Sequence, residues 1–285
     1  MWEADELMTN HVSGKVIVVT GAGGGFGRLV ALKASASGAK IVCADIDEAA
    51  LAETVKQVTD AGGTATGISA NVADLDQMRA LAKHAVDTHG AIDVMINNAG
   101  TMPLAFFADH AAAAEQWSRC IDVNIKGVLN GISAVYDQMM AQGRGHVINL
   151  SSIYGNFPVL GSGVYQATKT AVNYLSESLR VEAQGKIKVT IIKPTGVPGT
   201  ALGTGVVNPD AVVGILGQNA LSYGETMGKY AEGELSPAQA DPDSAEYAVL
   251  DPGYIADAIV MVIDQPWGVS LGDVTIRATG DGYIL

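Results

Sequence analysis

Residues 15–45 read KVIVVTGAGGGFGRLVALKASASGAKIVCAD, and this stretch decides the fold. KVIVVT (15–20) is a short apolar run rich in β-branched residues, the pattern of a buried strand. Thr20-Gly21-Ala22-Gly23-Gly24-Gly25-Phe26-Gly27 follows it directly. Glycine lets the backbone turn sharply and lets a pyrophosphate approach it closely. A helix opening near Gly25 aims its free N–H groups and the positive end of its dipole at that anion. KIVCAD (40–45) is the next strand and ends on Asp45, 24 residues after Gly21. A carboxylate there accepts hydrogen bonds from both hydroxyls of an adenosine ribose and repels a 2′-phosphate. The run Ala44-Asp45-Ile46-Asp47 offers no cation, so the pattern favours NAD over NADP.

The alternation of short β-rich runs with longer amphipathic ones continues outward from this unit. A helix is expected over about 48–61, a weaker strand at ATGISA, and a helix from a capping box at Asp74-Leu75-Asp76-Gln77 to about Thr88. AIDVMIN, HVINLS, KVTIIK and DVTIRAT read as strands. Helices are expected over about 115–142, 162–184 and 253–264. Such β-α-β-α order predicts an α/β fold, a doubly wound parallel sheet with helices on both faces and ligands at the carboxyl ends of its strands. From Pro194 to about Asp251 no strand pattern is present, while Asn208-Pro209 marks a helix start and 223–231 a further helix. This segment, about 195–250, reads as a helical cover over a site. The whole chain, 1–285, reads as one domain with an N-terminal tail over 1–13.

Composition narrows the function. The chain has 285 residues, 48% hydrophobic and 16% charged, with 17 Lys+Arg against 30 Asp+Glu and a formal net charge of −13. A nucleic-acid partner needs a basic footprint and is not expected. No apolar run reaches membrane-spanning length, and the start, MWEADELMTNH, lacks the order of a signal peptide. Cys43 and Cys120 fit buried apolar positions rather than a disulfide, which favours a cytoplasmic protein. His11, His84, His89, His110 and His146 show no metal-ligand spacing, so no metal is expected.

The chemistry concentrates in SSIYGNFPVLGSGVYQATKTAVNYL, where Tyr165 and Lys169 lie four residues apart on one face of an expected helix. A free tyrosine has a pKa of about 10, and bringing it to about 7 needs roughly 4 kcal/mol. A cation about 4 Å away supplies energy of that order at an effective dielectric of about 20. The pair is therefore expected to be a tuned proton-transfer site.

With these motifs in place the chain resembles the short-chain dehydrogenase/reductase family, over roughly residues 14–277. TGAGGGFG resembles that family's T-G-x-x-x-G-x-G, Asn97-Asn98-Ala99-Gly100 its N-N-A-G, and Asn124 in DVNIKG its tetrad asparagine. Ser152 lies 13 residues before Tyr165, the family's spacing. The resemblance implies that Tyr165 moves the proton, Ser152 hydrogen-bonds the same substrate oxygen, Lys169 lowers the tyrosine's pKa and holds the nicotinamide ribose, and Asn124 supports a water relay to Lys169. It further implies cofactor contacts at Gly21, Gly24, Gly25, Phe26, Gly27, Asp45, Ile46, Asn71, Val72, Asn98, Ala99, Gly100, Tyr165, Lys169, Pro194 and Val197. Two departures stand out. Asn71 replaces an aspartate, and Pro194-Thr195-Gly196 replaces a direct P-G.

The expected substrate pocket takes Met102, Ile153, Tyr154, Phe157, Leu160 and Leu202, which are mostly apolar. Residues 201–250 hold seven acids and one base, Lys229, which disfavours carboxylate, phosphate or coenzyme-A substrates. The reading is an NAD-dependent dehydrogenase that interconverts a neutral, moderately apolar secondary alcohol and its ketone. An enoyl reductase and a catalytically idle NAD-binding sensor are the alternatives. The first usually spaces tyrosine and lysine more widely, and the second typically loses one of them. Family members of this size usually form tetramers through the helices matching 115–142 and 162–184. Val128, Leu129, Ile132, Val135 and Met139 lie on the first of these.

Overall fold

The computed structural model describes residues 10–284. Among them the β-rich runs form β1 (Val16–Thr20), β2 (Lys40–Asp45), β3 (Thr64–Ser69), β4 (Val94–Asn97), β5 (Gly145–Leu150), β6 (Ile187–Pro194) and β7 (Asp273–Ile276). The seven strands make one sheet in the order β3-β2-β1-β4-β5-β6-β7, with every neighbouring pair parallel. The chain runs outward from β1 to β3, then returns to place β4 on the other side of β1. The crevice of a doubly wound sheet lies at that reversal, beyond the carboxyl ends of β1 and β4.

The helices are α1 (Gly25–Ala36), α2 (Glu48–Asp60), α3 (Leu75–His89), α4 (His110–Ile121), α5 (Gly127–Gln142), α6 (Gly163–Glu182), α7 (Val213–Leu216), α8 (Ala220–Glu232), α9 (Pro237–Ala240) and α10 (Pro252–Ile263). Side-chain alternation along β1 sends Ile17 and Val19 into a core with Val30 and Ala34 of α1 and Ile255 and Ile259 of α10. Val16 and Val18 face the opposite layer, with Met78 and Leu81 of α3, Val135 and Met139 of α5 and Leu179 of α6. β1, β4 and β5 are buried along their whole length, as continuous apolar runs require, whereas the edge strands β3 and β7 are partly exposed. Each large side chain removed from water here, such as Ile17 or Ile96, contributes roughly 1.5–3 kcal/mol.

Several elements depart from expectation for local reasons. The single helix expected over 115–142 is two helices, α4 and α5, joined by a π-helical turn at Asp122–Lys126. β4 starts only at Val94, because the Asp93 carboxylate turns to accept the Val16 N–H at 2.9 Å. At α3, Asp74 accepts the N–H groups of Asp76 and Gln77, but the Gln77 side chain reaches past it to accept the Asn71 N–H at 2.8 Å. β7 ends at Ile276, after which Arg277 and Asp281 pair across a turn. Of the tail expected over 1–13, residues 1–9 lie outside the described residues. Val12 is buried in the core, and His11 N–H donates to Asp264 at 2.6 Å.

Residues 195–250 contain no strand. They form short 3-10 turns at Ala201–Gly205 and Pro209–Val212, then α7, α8 and α9. Asn208 caps the second turn by accepting the Asp210 N–H, with proline at its first position. Ala211, Ile215 and Leu216 pack with Leu104, Ile153, Tyr154 and Tyr165 in a third cluster, which seats this cover over the carboxyl edge of the sheet. No described helix is long and apolar enough to cross a membrane.

Candidate active site

A cleft of about 1210 Å³ runs along the carboxyl edge of the sheet, from Asp45 at one end to the cover segment at the other. Gly21 and Gly25 shape the turn between β1 and α1 with positive φ values of 65° and 49°. Gly24, extended and without a capping side chain, precedes α1, and open space surrounds the position a Cβ would take. This leaves the first N–H groups of α1 beside the cleft, where Gly24, Gly25 and Phe26 line it. Gly27 does not line it. A Cβ there would stand 2.2 Å from the Gly21 carbonyl oxygen, so this glycine serves close packing of helix on strand. Gly27→Ala is therefore expected to lower stability by about 1–3 kcal/mol, read as a fall in Tm.

The loop is held from three directions. The Asp45 Oδ2 accepts the Gly23 N–H at 2.7 Å, and Oδ1 accepts the Asp47 N–H at 3.0 Å. Arg28 donates to the Gly23 carbonyl at 2.5 Å, to the Ala50 carbonyl at 3.2 Å and to Thr54 Oγ1 at 2.9 Å. The Asn98 amide donates to the carbonyls of Thr20 at 2.8 Å and Gly21 at 3.1 Å, tying the end of β4 to that of β1. Asp45, Ile46, Asn71, Val72, Asn98, Ala99 and Gly100 all line the cleft. Asn71 Oδ1 is turned onto the Ala73 N–H at 3.0 Å. The bracing by Arg28 was not legible in the motif, because its partners Ala50 and Thr54 come from α2.

At mid-cleft, Ser152, Tyr165 and Lys169 converge. Tyr165 and Lys169 are buried on α6, one turn apart, and Ser152 follows β5. The Ser152 Oγ accepts the Tyr154 N–H at 3.2 Å, leaving its proton for another acceptor. Lys169 Nζ donates to the Leu150 carbonyl at 2.8 Å and lies 5.7 Å from the centre of the Tyr165 ring. Burial pushes the Tyr165 phenol above its ordinary value, and hydrogen bonding with Ser152 pulls it part of the way back. Burial pushes Lys169 down to about 8. The phenol lowered to near neutrality, expected from spacing alone, is thus not what this arrangement holds. Burial sets the direction, and the Lys169 Nζ is turned to the Leu150 carbonyl.

Asn124 occupies the π-helical turn and is 1% exposed. Its Oδ1 accepts the Thr101 N–H at 2.9 Å, and its Nδ2 donates to the Thr101 carbonyl at 2.9 Å and to Thr168 Oγ1 at 3.0 Å. The side chain so clamps the loop after β4 to α6, one residue from Lys169. π turns of this kind recur at functional sites.

Met102, Ile153, Tyr154 and Leu202 line the cleft, as do Pro194 and Val197. Phe157 and Leu160 do not. They are 56% and 70% exposed, because the turn after Gly155 carries them outward before α6 begins. Sequence reading also missed Arg119 of α4, an exposed rim residue beside Glu115 and Asp122, and Tyr283 from the C-terminal end. Neither position carries a local signal, since only tertiary packing brings it to the cleft. Among the described residues no group of three His, Cys, Asp or Glu could hold a metal ion.

This geometry has close parallels. The family model described as short chain dehydrogenase matches residues 15–209. An uncharacterized oxidoreductase of Staphylococcus epidermidis is 32% identical over 266 residues, covering 93% of this chain and 98% of the relative. A short-chain dehydrogenase/reductase of Burkholderia phymatum, solved in complex with NAD, superposes with a TM-score of 0.66 at 28% identity, covering 89% of this chain and 94% of that one. An alcohol dehydrogenase of Thermococcus sibiricus, complexed with 5-hydroxy-NADP, gives a TM-score of 0.74 at 19% identity, covering 93% of this chain and 97% of that one. These neighbours bind nicotinamide nucleotides of both kinds. The chain is an oxidoreductase and belongs to the short-chain dehydrogenase/reductase family.

Proposed function

We propose that this protein interconverts a neutral, moderately apolar secondary alcohol and its ketone, using NAD. The observation that carries the reading is the convergence of Ser152, Tyr165 and Lys169 on one wall of a cleft whose other end is closed by Asp45. The cleft suits a nicotinamide dinucleotide: the glycine turn leaves open space at Gly24, and the Asp45 carboxylate is fixed beside it. The loop at Gly21–Phe26 would hold the pyrophosphate, Asp45 and Ile46 the adenosine ribose, Val72 and Asn98–Gly100 the adenine side and the centre, and Pro194 and Val197 the nicotinamide. When bound, the nucleotide supplies the hydride acceptor or donor.

The chain's own residues supply orientation and the proton. The Ser152 hydroxyl and Tyr165 phenol hold the substrate oxygen between them, and Tyr165 gives or takes its proton. Lys169 biases the phenol towards its anion, and Asn124 fixes the loop on which Lys169 faces Gly100. Apolar walls at Met102, Leu104, Ile153 and Leu202 exclude water from the reacting carbon. Arg119 at the rim is accompanied by Glu115 and Asp122, so the entrance carries no net positive charge to draw in an anion. A panel of cyclic and aromatic secondary alcohols with NAD tests the reading. Turnover of at least one is expected, and none at all would overturn it.

The pH dependence follows from the proton site. Tyr165 and Lys169 titrate as a pair. With Lys169 pushed down to about 8, the pair sheds its first proton near that pH. Below it the pair is doubly protonated and cannot take the alcohol's proton, so oxidation falls as pH drops below about 8. Ketone reduction, which needs the proton, falls above it. Lys169→Met removes the cation, so the oxidation limb moves to higher pH. Rate profiles between pH 6 and 11 check this, and an unmoved limb in the variant would contradict it.

Assembly as a homotetramer in a reducing, cytoplasmic setting completes the proposal. On α4 and α5, Val128, Val135 and Met139 are consumed by the core, whereas Ile121 and Leu129 stay exposed. Tyr174 and Val181 of α6 are likewise exposed, an apolar surface suited to a closed symmetric interface. Light scattering at micromolar concentration is expected to give a tetramer's mass, and a monomer would refute it.

A further inference from the structure

The far end of the cleft carries a second polar pair that the proton chemistry does not use. Tyr223 of α8 and Tyr283 of the C-terminal end both line it. Their rings meet edge to face, with centroids 5.7 Å apart and planes at 79°, and each phenol perturbs the other's ionisation. Tyr154 stands towards the catalytic end, its ring 5.7 Å from that of Tyr165. A row of phenols therefore extends from the proton site to the cover segment.

The pair is held from two sides. After β7 the chain folds back, with Arg277 donating to Asp281 Oδ1 at 2.6 Å and to the Tyr283 carbonyl at 2.8 Å. Asp281 Oδ2 in turn accepts the Thr195 hydroxyl at 3.1 Å. Gly196 has φ +46°, and a Cβ there would stand 2.2 Å from the Tyr283 ring. The Pro194-Thr195-Gly196 departure thus has a use: Thr195 anchors the terminal turn and Gly196 makes room for its aromatic ring. From the cover, Asn219 donates to the Gly282 carbonyl at 3.1 Å, and Ile284 N–H donates to the Ile215 carbonyl at 3.3 Å.

This construction fixes two hydroxyls in an otherwise apolar wall. Burial keeps both phenols neutral, and the Asp281 carboxylate behind them disfavours negative charge. No lysine or arginine of the cover or the terminal segment lines the cleft. A fixed hydroxyl facing a cleft selects for a ligand group that completes its hydrogen bonds and rejects an analogue lacking it.

We propose that Tyr223 and Tyr283 form a specificity subsite that receives a second, uncharged oxygen of a cyclic substrate whose reacting carbinol lies at Tyr165. The subsite rests on the alcohol–ketone reading and sharpens it, since the substrate becomes a diol, hydroxyketone or hydroxy-ether rather than a simple alcohol.

Two matched pairs test this: cyclohexanol against 1,4-cyclohexanediol, and 4-cyclohexylcyclohexanol against 4,4′-bicyclohexanol. Steady-state kcat/KM with NAD is measured for wild type, Tyr283→Phe and Tyr223→Phe, each of which retains its ring. In at least one pair wild type is expected to prefer the diol by roughly three- to tenfold, the worth of one neutral hydrogen bond. Either substitution collapses that preference, chiefly through KM for the diol. Equal losses on both members of a pair would reduce the two tyrosines to packing and overturn the subsite, as would a wild type indifferent to the second hydroxyl. Turnover of the simple alcohols alongside such a result leaves the alcohol–ketone reading intact. No turnover of any alcohol overturns that reading and the subsite with it.

Discussion

Tyr165→Phe is expected to lower turnover by about a thousandfold or more while leaving nucleotide affinity within a few-fold of wild type. A positioned acid–base group contributes typically 10²–10⁴ in rate, and a thousandfold loss corresponds to about 4 kcal/mol of barrier. The substitution isolates this effect because it deletes one oxygen and keeps the ring. Tyr165 is buried in the cluster with Leu104, Ile153 and Tyr154, and its edge-to-face contact with Tyr154 survives in phenylalanine. Its hydroxyl is already desolvated, so removing it uncovers no new apolar surface, and Tm is expected to hold. Ser152→Ala is expected to cost about a hundredfold, because it removes a donor to the substrate oxygen and not the proton itself. Lys169→Ala stands apart. It removes a cation buried beside the cleft, together with its bond to the Leu150 carbonyl, so both rate and nucleotide affinity fall. Measured turnover, equilibrium nucleotide binding and thermal melts on the three variants separate these cases. A Tyr165→Phe enzyme that keeps more than a few per cent of the wild-type rate would remove the phenol from its assigned role.

How far the fold was legible depends on which forces act locally. KVIVVT followed by a glycine run is readable because a buried parallel strand must be apolar throughout and a tight strand–helix turn must be glycine. The spacing of Tyr165 and Lys169 is readable because one helical turn dictates which side chains are neighbours. Three things were not readable. The π-helical turn at Asn124 is set by bonds to Thr101 and Thr168, which are 23 and 44 positions away. The outward course of Phe157 and Leu160 depends on the turn after Gly155, where an apolar side chain gives no hint of direction. Tyr283 reaches the cleft on a terminal turn that Thr195, 86 positions before Asp281, helps to anchor. The tyrosine's proton affinity was misjudged for a related reason: spacing reports the distance to a cation and not the depth of burial, and here burial dominates.

Cofactor choice is the second large effect. Wild-type kcat/KM is expected to favour NAD over NADP by at least about a hundredfold. Asp45 ends β2 with its carboxylate pinned by the N–H groups of Gly23 and Asp47, so it cannot swing away from an added 2′-phosphate. The cation nearest in sequence to the glycine loop, Arg28, is consumed by the Gly23 and Ala50 carbonyls and by Thr54, and so is not free to offset the repulsion. Losing a charged hydrogen bond costs about 1.5–3 kcal/mol, and every 1.4 kcal/mol is about tenfold. Ile46, which lines the cleft and is 63% exposed, is the place to supply a cation without disturbing the core. Ile46→Arg alone is expected to narrow the preference by about tenfold, through a charge-assisted bond to the phosphate. Adding Asp45→Ala removes the repulsion and should carry the preference to parity or beyond. That double variant also orphans the Gly23 N–H, so its efficiency with NAD falls for two reasons, and the single Ile46→Arg enzyme is the cleaner comparison. Comparable wild-type efficiency with both nucleotides would show that Asp45 does not meet the adenosine ribose. It would undo the cofactor assignment and leave the proton site at Tyr165 untouched.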